Sequence, residues 1–449
     1  TRKESSAASD VYKRQVFMEK YFKLKENKTD VKTEILAGIT TFMTMVYILA
    51  VNPGMLSETG MDFGGVFTAT ALSAGVATLI MALYAKYPFA LAPGMGLNAF
   101  FTYSVCIGMK QSWQFALTAV LVEGIIFILL SLLKVREAIF DLIPLSLKKA
   151  VSAGIGLFIA LVGLKNAGII VANEGTTIGL GDLTANASIV ALLGLIVIAI
   201  LYARNVKGAL LIGIIIATII GIPLGVTTLP EGFKIFSLPP SLKDVAFKFV
   251  PFSEIMTKDF WIIVVTFLFV DIFDTVGTLA GVASKSGMLD EEGKLPRVSK
   301  ALTADAVGTI FGACMGTSTV TTFVESSAGV AAGGRTGLTS VTTGIMFILA
   351  LFIAPLFAII PAAATAPVLV VVGVFMMSAV MEINWHDLTE AVPAFLTIAM
   401  MPFAYSIAEG IVFGIVSYTL IKTFTGKAKD VSALMWVLSV LFVLREIFL

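Results

Sequence analysis

Charge is scarce in this chain. Only 14% of its 449 residues are Asp, Glu, Lys or Arg, 57% are hydrophobic, and the mean hydropathy is +0.96. An ordinary soluble domain carries about a quarter charged residues, so this balance excludes one and indicates a polytopic membrane protein. An excess of either sign is also missing. Thirty-one Lys and Arg face 30 Asp and Glu for a net +1, with no basic stripe, which argues against nucleic-acid binding. The two cysteines, Cys106 and Cys314, lie in apolar segments too far apart to make a metal or redox motif, and read as small buried hydrophobes. The single histidine, His386, lies in "MEINWHDLTE", a predicted loop, and reads as an interfacial polar residue rather than a proton relay. No cofactor is expected.

What is present is apolar and long. A span needs roughly 20 apolar residues, fewer where a helix is broken inside protein. Runs of this kind lie near 35–56, 64–86, 89–108, 113–133, 143–165, 186–203, 207–226, 260–283, 302–316, 320–333, 337–360, 362–381, 388–404 and 406–424, which predicts an all-α polytopic fold of about fourteen spans. The segment 431–449 is apolar but ends on Arg445 and Glu446, and reads as a surface or packed helix rather than a further span. Residues 1–17 lack the apolar core of a secretory signal and read as a non-native leader, with Met18 as the native start and 18–34 as a cytoplasmic arm. Placing the amino terminus inside collects Lys20 to Lys32, Lys134, Arg136, Lys148, Lys149, Arg204, Lys207, Lys285, Lys294, Arg297, Lys300 and the lysines from Lys422 to Lys429 on that side, so both termini are expected in the cytoplasm of a plasma-membrane protein. The connection 227–259, with Lys234, Lys243, Lys248 and Lys258, is the exception.

Two segments share an internal echo. "IPLSLKKAVSAGIGLF" at 143–158 and "IPAAATAPVLVVVGVF" at 360–375 align Ile-Pro, Gly and Phe at an offset of 217. A repeat of seven spans inverts its second copy, the plan of many secondary transporters, whose sites lie at paired broken helices. Two breaks are visible. In "FALAPGMGLNAFF" (89–101), Pro93, Gly94 and Gly96 disfavour continuous helix and Asn98 begins a half-helix; in "TSTVTTFVESSAGVAAGG" a β-branched run leads into a small-residue turn carrying Glu325. Short strands before spans 3 and 10 would satisfy each other's backbone groups away from lipid. An acid at membrane depth costs about 2.5–3.5 kcal/mol even on the mild insertion scale, so Glu325 is a site candidate, its alternative being a cap on its own helix. In "FLFVDIFDTVGTLAGVA", Asp271 and Asp274 share a helical face, where two acids repel unless one is protonated or hydrogen-bonded; their alternative is structural bonding to Thr275 and Thr278. Arg335 reads as the cytoplasmic end of span 10, Lys165 as a snorkelling end of span 5, and Glu123 and Glu409 as unranked membrane carboxylates.

Taken in order, "APGMGLNAFF", "FVDIFDTVGTL" and "TSTVTTFVESSAGVAAGGRTGLTS" resemble the AzgA-like branch of the nucleobase permeases, in the xanthine/uracil permease superfamily, from about Met18 to the carboxyl terminus. The resemblance implies two inverted seven-span repeats. It implies a core domain of 35–133 and 260–360, a gate domain of 143–226 and 362–424, and proton-coupled uptake of adenine, guanine or hypoxanthine. It assigns base binding to Asp271 and Glu325, with Asp274 and Asn98 supporting; Gly96, Phe323 and Ser326 complete the candidate substrate set. Asp271, Asp274 and Glu325 are the candidates for coupling to a proton, with Na⁺ as the other ion, and a homodimer is implied. A purine is flat and edged with N–H donors that a carboxylate accepts. Phe100, Phe101, Phe273 and Phe323 are available for stacking, though ordinary packing suits any one of them. Three competing functions fit less well. A sulfate-permease-like anion transporter predicts a neutral or positive cavity, an intramembrane aspartyl protease needs its two acids on facing helices, and a passive channel needs no ion coupling.

Overall fold

The computed structural model describes residues 19–133, 142–173, 175, 177–286, 288 and 295–448. The expected leader 1–17, Met18, Lys134, Arg136 and Lys294 lie outside them, as do the side chains of Phe273, Lys285, Arg445 and Glu446. The fold is almost wholly helical. Among the described residues eight helices are long and apolar enough to cross a membrane, and Met95–Gly108, Ala209–Gly221, Leu388–Phe403 and Ala433–Leu444 are shorter apolar helices.

The amino-terminal half opens with α1 (Val31–Met45), α2 (Ile48–Ser57) and α3 (Phe63–Ile80). Asp30 caps α1 by accepting from the Thr33 N–H, and Asp62 caps α3 through Gly65, as short acceptors do at helix starts. Strand β1 (Leu91–Pro93) follows, then α4 (Met95–Ala99), which widens into a π-helical stretch to Gly108, then α5 (Trp113–Leu132). Next come α6 (Leu145–Asn166), a surface hairpin of β2 (Ile170–Asn173) and β3 (Thr177–Leu180), α7 (Asn186–Ala203) and α8 (Ala209–Gly221). The hairpin has no counterpart in the sequence expectations. It is solvent-exposed and short, so it carries little hydrophobic signal.

The second half contains α9 (Lys258–Ser286), α10 (Val298–Met315), β4 (Val320–Thr322), α11 (Ser326–Ala331), α12 (Gly337–Ala350), α13 (Ala362–Met377), α14 (Leu388–Phe403), α15 (Ile407–Phe424) and α16 (Ala433–Phe448). Helix α16 folds back on α15, where Ser439 donates to Thr419 over 2.8 Å and Met435 is fully buried. The connection 227–259 lies over the helices before it: Thr68 donates to the Pro240 carbonyl and the Val250 N–H to Thr118.

Both copies of the echo start a helix directly after a proline, Pro144 for α6 and Pro361 for α13. The two helices cross antiparallel at Gly156 and Gly373. A Cβ on Gly156 would come within 2.8 Å of the Gly373 carbonyl oxygen, and one on Gly373 within 2.4 Å of the Gly156 carbonyl oxygen. The contact is reciprocal, because Gly156 also faces Met377 and Gly373 faces Ala160, pairs related by the same offset. Only glycine permits this approach, the small-residue packing that replaces hydrophobic attraction between helices in lipid.

Candidate functional site

The two broken segments meet. β1 and β4 pair antiparallel, Leu91 opposite Thr322, Ala92 opposite Thr321 and Pro93 opposite Val320. The ladder extends at both ends, with the Gly94 N–H on Thr319 and the Phe323 N–H on Ala90. Side chains bond further backbone groups of the pair: Thr78 the Leu91 N–H, Thr309 the Val320 carbonyl, and Ser326 the Ala90 N–H. Extended backbone at this depth persists because every strand finds a protein partner.

The acids divide by reach. Glu325, immediately before α11, and Asp274, on α9, are partly accessible, whereas Asp271 is fully buried. Glu325 Oε1 accepts from the Tyr47 hydroxyl over 2.7 Å, and Tyr47 sits at the joint of α1 and α2. Asp274 is hydrogen-bonded to Thr321 of β4 and lies within electrostatic reach of Asp271 and Glu325. Its Oδ2 lies 3.3 Å from where a Cβ on Gly94 would stand, and Thr321 Cγ2 only 2.3 Å from it. Gly94 therefore lets the α9 acid approach the turn from β1 into α4. Tyr202, in the last turn of α7, is half-exposed, packs its ring 4.7 Å from Phe375 and also lies within electrostatic reach of Glu325.

Asp271 occupies a different setting. Thr275 Oγ1 lies 2.9 Å from Asp271 Oδ1, 3.0 Å from Asp305 Oδ2 and 2.9 Å from Thr321 Oγ1. One hydroxyl proton thus faces two fully buried carboxylates and a second hydroxyl. The contact of Asp271 with Thr275 is the structural bonding foreseen as its alternative reading.

Of the other candidates, Asn98 is fully buried, its Oδ1 accepting from the Ser318 hydroxyl and its Nδ2 bonding the Pro93 carbonyl, so it joins α4 to the approach to β4. Gly96 backs onto α6, since a Cβ there would come within 2.7 Å of Ile155. Phe323, just past β4, and Ser326, the first residue of α11, are buried. Of the expected stackers, Phe100 packs edge-on against Phe267, with ring centroids 4.8 Å apart. Arg335 bonds the Val330 and Gly334 carbonyls and closes the end of α11. His386 is exposed between α13 and α14. Glu123 lies fully buried beside Thr319.

Tyr47, Tyr202, Asp305 and Glu34 were not singled out from sequence. Asp305 could have been, by the reasoning applied to Glu325, because "ALTADAVGTIFGA" also places a carboxylate inside an apolar run. The tyrosines carry no such signal.

Residues 32–413 match the profile of the Permease family, Xan_ur_permease. The chain belongs to this family. As a permease it is a membrane transport protein and not an enzyme. It is 43% identical to the adenine permease AdeP of Escherichia coli over 97% of each chain. It is 44% identical to the guanine/hypoxanthine permease PbuG of Bacillus subtilis, over 96% of this permease and the full length of that one. In fold it is similar to the transmembrane domain of the cyanobacterial bicarbonate transporter BicA, with a TM-score of 0.63 and 15% identity over 85% of this permease and 97% of that domain.

Proposed function

We propose that this permease imports purine nucleobases, adenine, guanine or hypoxanthine, by symport with a proton, through alternating access. The observation that carries the reading is the placing of two partly accessible carboxylates at the paired strands β1 and β4, Asp274 bonded to Thr321 of β4 and Glu325 three residues past that strand. A carboxylate accepts from the N–H edge of a base, and the Tyr47 hydroxyl that bonds Glu325 orients that acid. The names of the relatives support the substrate class. Asp271, one helical turn before Asp274, belongs to the hydrogen-bonded group through which the coupling proton is held; Na⁺ is the other candidate ion. Asn98, Gly96, Phe323 and Ser326 shape the site by fixing the two strands and the turn into α4.

The proposed architecture is fourteen spans in two inverted repeats, with a core of 35–133 and 260–360, a gate of 143–226 and 362–424, both termini in the cytoplasm, and a homodimer as the assembly. The reciprocal crossing at Gly156 and Gly373 supports the repeat, since an inverted pair of equivalent helices must meet about a local two-fold axis. A fold shared with an anion transporter does not favour anion transport here, because two acids at the site oppose an anionic ligand. Uptake of labelled hypoxanthine, adenine and guanine into cells lacking their own purine transport, with and without a protonophore, tests the reading. Saturable uptake abolished by the protonophore supports it, and absence of uptake of all three bases contradicts it.

A further inference from the structure

Away from the paired strands, a second polar cluster joins elements that the proposed division assigns to different domains. Glu58 follows α2, and Tyr103 lies on the stretch that continues α4, both on the core side; Lys165 and Asn166 end α6, and Tyr405 lies between α14 and α15, all on the gate side. The Tyr103 hydroxyl donates to Glu58 Oε1 over 2.9 Å. Asn166 Nδ2 reaches across to both, 3.2 Å from Glu58 Oε1 and 3.1 Å from the Tyr103 hydroxyl oxygen. Lys165 Nζ stands 4.7 Å from the Tyr405 ring centroid and within electrostatic reach of Glu58. The Tyr405 ring lies edge-on to Phe158 at 5.3 Å and to Tyr103 at 6.4 Å.

Tyr405 follows α14 with a φ of 52°, the left-handed conformation that closes a helix end, its N–H on the Pro402 carbonyl and the Ser406 N–H on the Met401 carbonyl. The helix end thus fixes where the Tyr405 ring stands, and the Asn166 bonds and the Tyr103 ring contact join the two sides. The charged and aromatic groups of the cluster face one another across the seam between α6 and the helices around α4, and each group on one side has its partner on the other.

We infer that Glu58, Tyr103 and Asn166, backed by Lys165 and Tyr405, form a latch that holds core and gate together at this end of the helices and must open once in every transport cycle. In the proposed topology this is the outer face, so the structure has that face shut. The inference rests on the core and gate division given above. One amide and two oxygens make a latch that releases readily, because hydrogen bonds partly exposed to water exchange for water at little net cost, so the contact closes a path without trapping the closed state.

The test uses full-length protein with Cys106 and Cys314 replaced by alanine and cysteines placed as Glu58→Cys and Asn166→Cys, bridged by a short bis-methanethiosulfonate reagent. Hypoxanthine uptake is expected to fall about tenfold or more on bridging and to return on reduction, with each single-cysteine variant unaffected by the reagent. Full uptake by protein that mass spectrometry shows to be bridged overturns the latch. A second measurement needs no substrate. Asn166→Ala is expected to raise, about threefold or more, the rate at which an impermeant maleimide from the Glu58 side reaches Val324→Cys, placed at the exposed residue just before Glu325. An unchanged rate overturns the latch. If the unbridged protein takes up no purine while Asn166→Ala raises the labelling rate, the substrate assignment fails and the latch stands.

Discussion

Two groups of carboxylates held within the helical body can be compared within one chain. Asp274 and Glu325 keep accessible surface and have hydroxyl partners, Thr321 and Tyr47. Glu34 is the opposite case. It is fully buried and accepts from the Arg335, Thr336 and Thr339 N–H groups and from the Thr336 and Thr339 hydroxyls, tying α1 to the start of α12. Asp271 and Asp305 stand between, sealed but sharing Thr275. The same side chain is thus a fastening where donors surround it and a candidate for binding where it has oxygens left to offer. Cost of burial alone does not separate the two, because both are expensive until paired.

The largest effect is expected at the turn that admits Asp274. Gly94→Ala drives a methyl to within 2.3 Å of Thr321 Cγ2, and purine uptake should fall about a hundredfold in membranes carrying normal amounts of protein. Thr321→Ser, which removes that methyl, should restore part of the uptake to the double variant; no restoration would mean that Gly94 acts other than through this contact. At the sealed end, Glu34→Ala leaves buried donors without their acceptor and should destabilise the protein by about 3 kcal/mol in thermal unfolding of detergent-purified protein. Any loss of uptake should follow the loss of folded protein.

Asp271→Asn probes the intermediate group. Base should still exchange across the membrane by counterflow, while accumulation driven by an imposed pH gradient falls about tenfold, measured in vesicles. Undiminished accumulation would move the proton to Asp274, Glu325 or Glu123. The smallest effect is expected far from the site, at Asp387. The Lys427 ammonium bonded to it, and then the Thr389 hydroxyl and N–H that it caps at the start of α14, hold its carboxyl below the ordinary carboxylate range. A group with a lowered folded-state value stabilises above its unfolded value, about 4, and that stabilisation fades as pH falls below it. Asp387→Ala should lower the melting temperature slightly at pH 7, with the difference from wild type narrowing as the pH drops below about 4.

How far the sequence spoke for these regions depended on whether the signal was local. The breaks before α4 and α11 were legible because glycine and proline interrupt helix locally and the β-branched residues before Glu325 favour extended backbone. Their pairing followed from the need to satisfy buried amides. Which way an acid faces was not legible, because Asp271 and Asp274 share one helical face and differ only in what packs against each. Tyr47 and Tyr202 were hidden for a related reason: a lone tyrosine in an apolar run looks the same whether it bonds lipid headgroup, backbone or carboxylate. The echo at 143–158 and 360–375 proved more informative than its few identities suggested, because its shared glycines, Gly156 and Gly373, are the ones in mutual contact.

Substrate recognition turns on Glu325 meeting the base as an acceptor. Equilibrium binding of labelled hypoxanthine to purified wild-type protein and Glu325→Gln, with the melting temperature of each recorded in the same buffer, tests this most directly. Gln keeps the shape but presents a donor where the base needs an acceptor, so an unchanged melting temperature and binding weakened about a hundredfold are predicted. Binding by Glu325→Gln at wild-type affinity would contradict it.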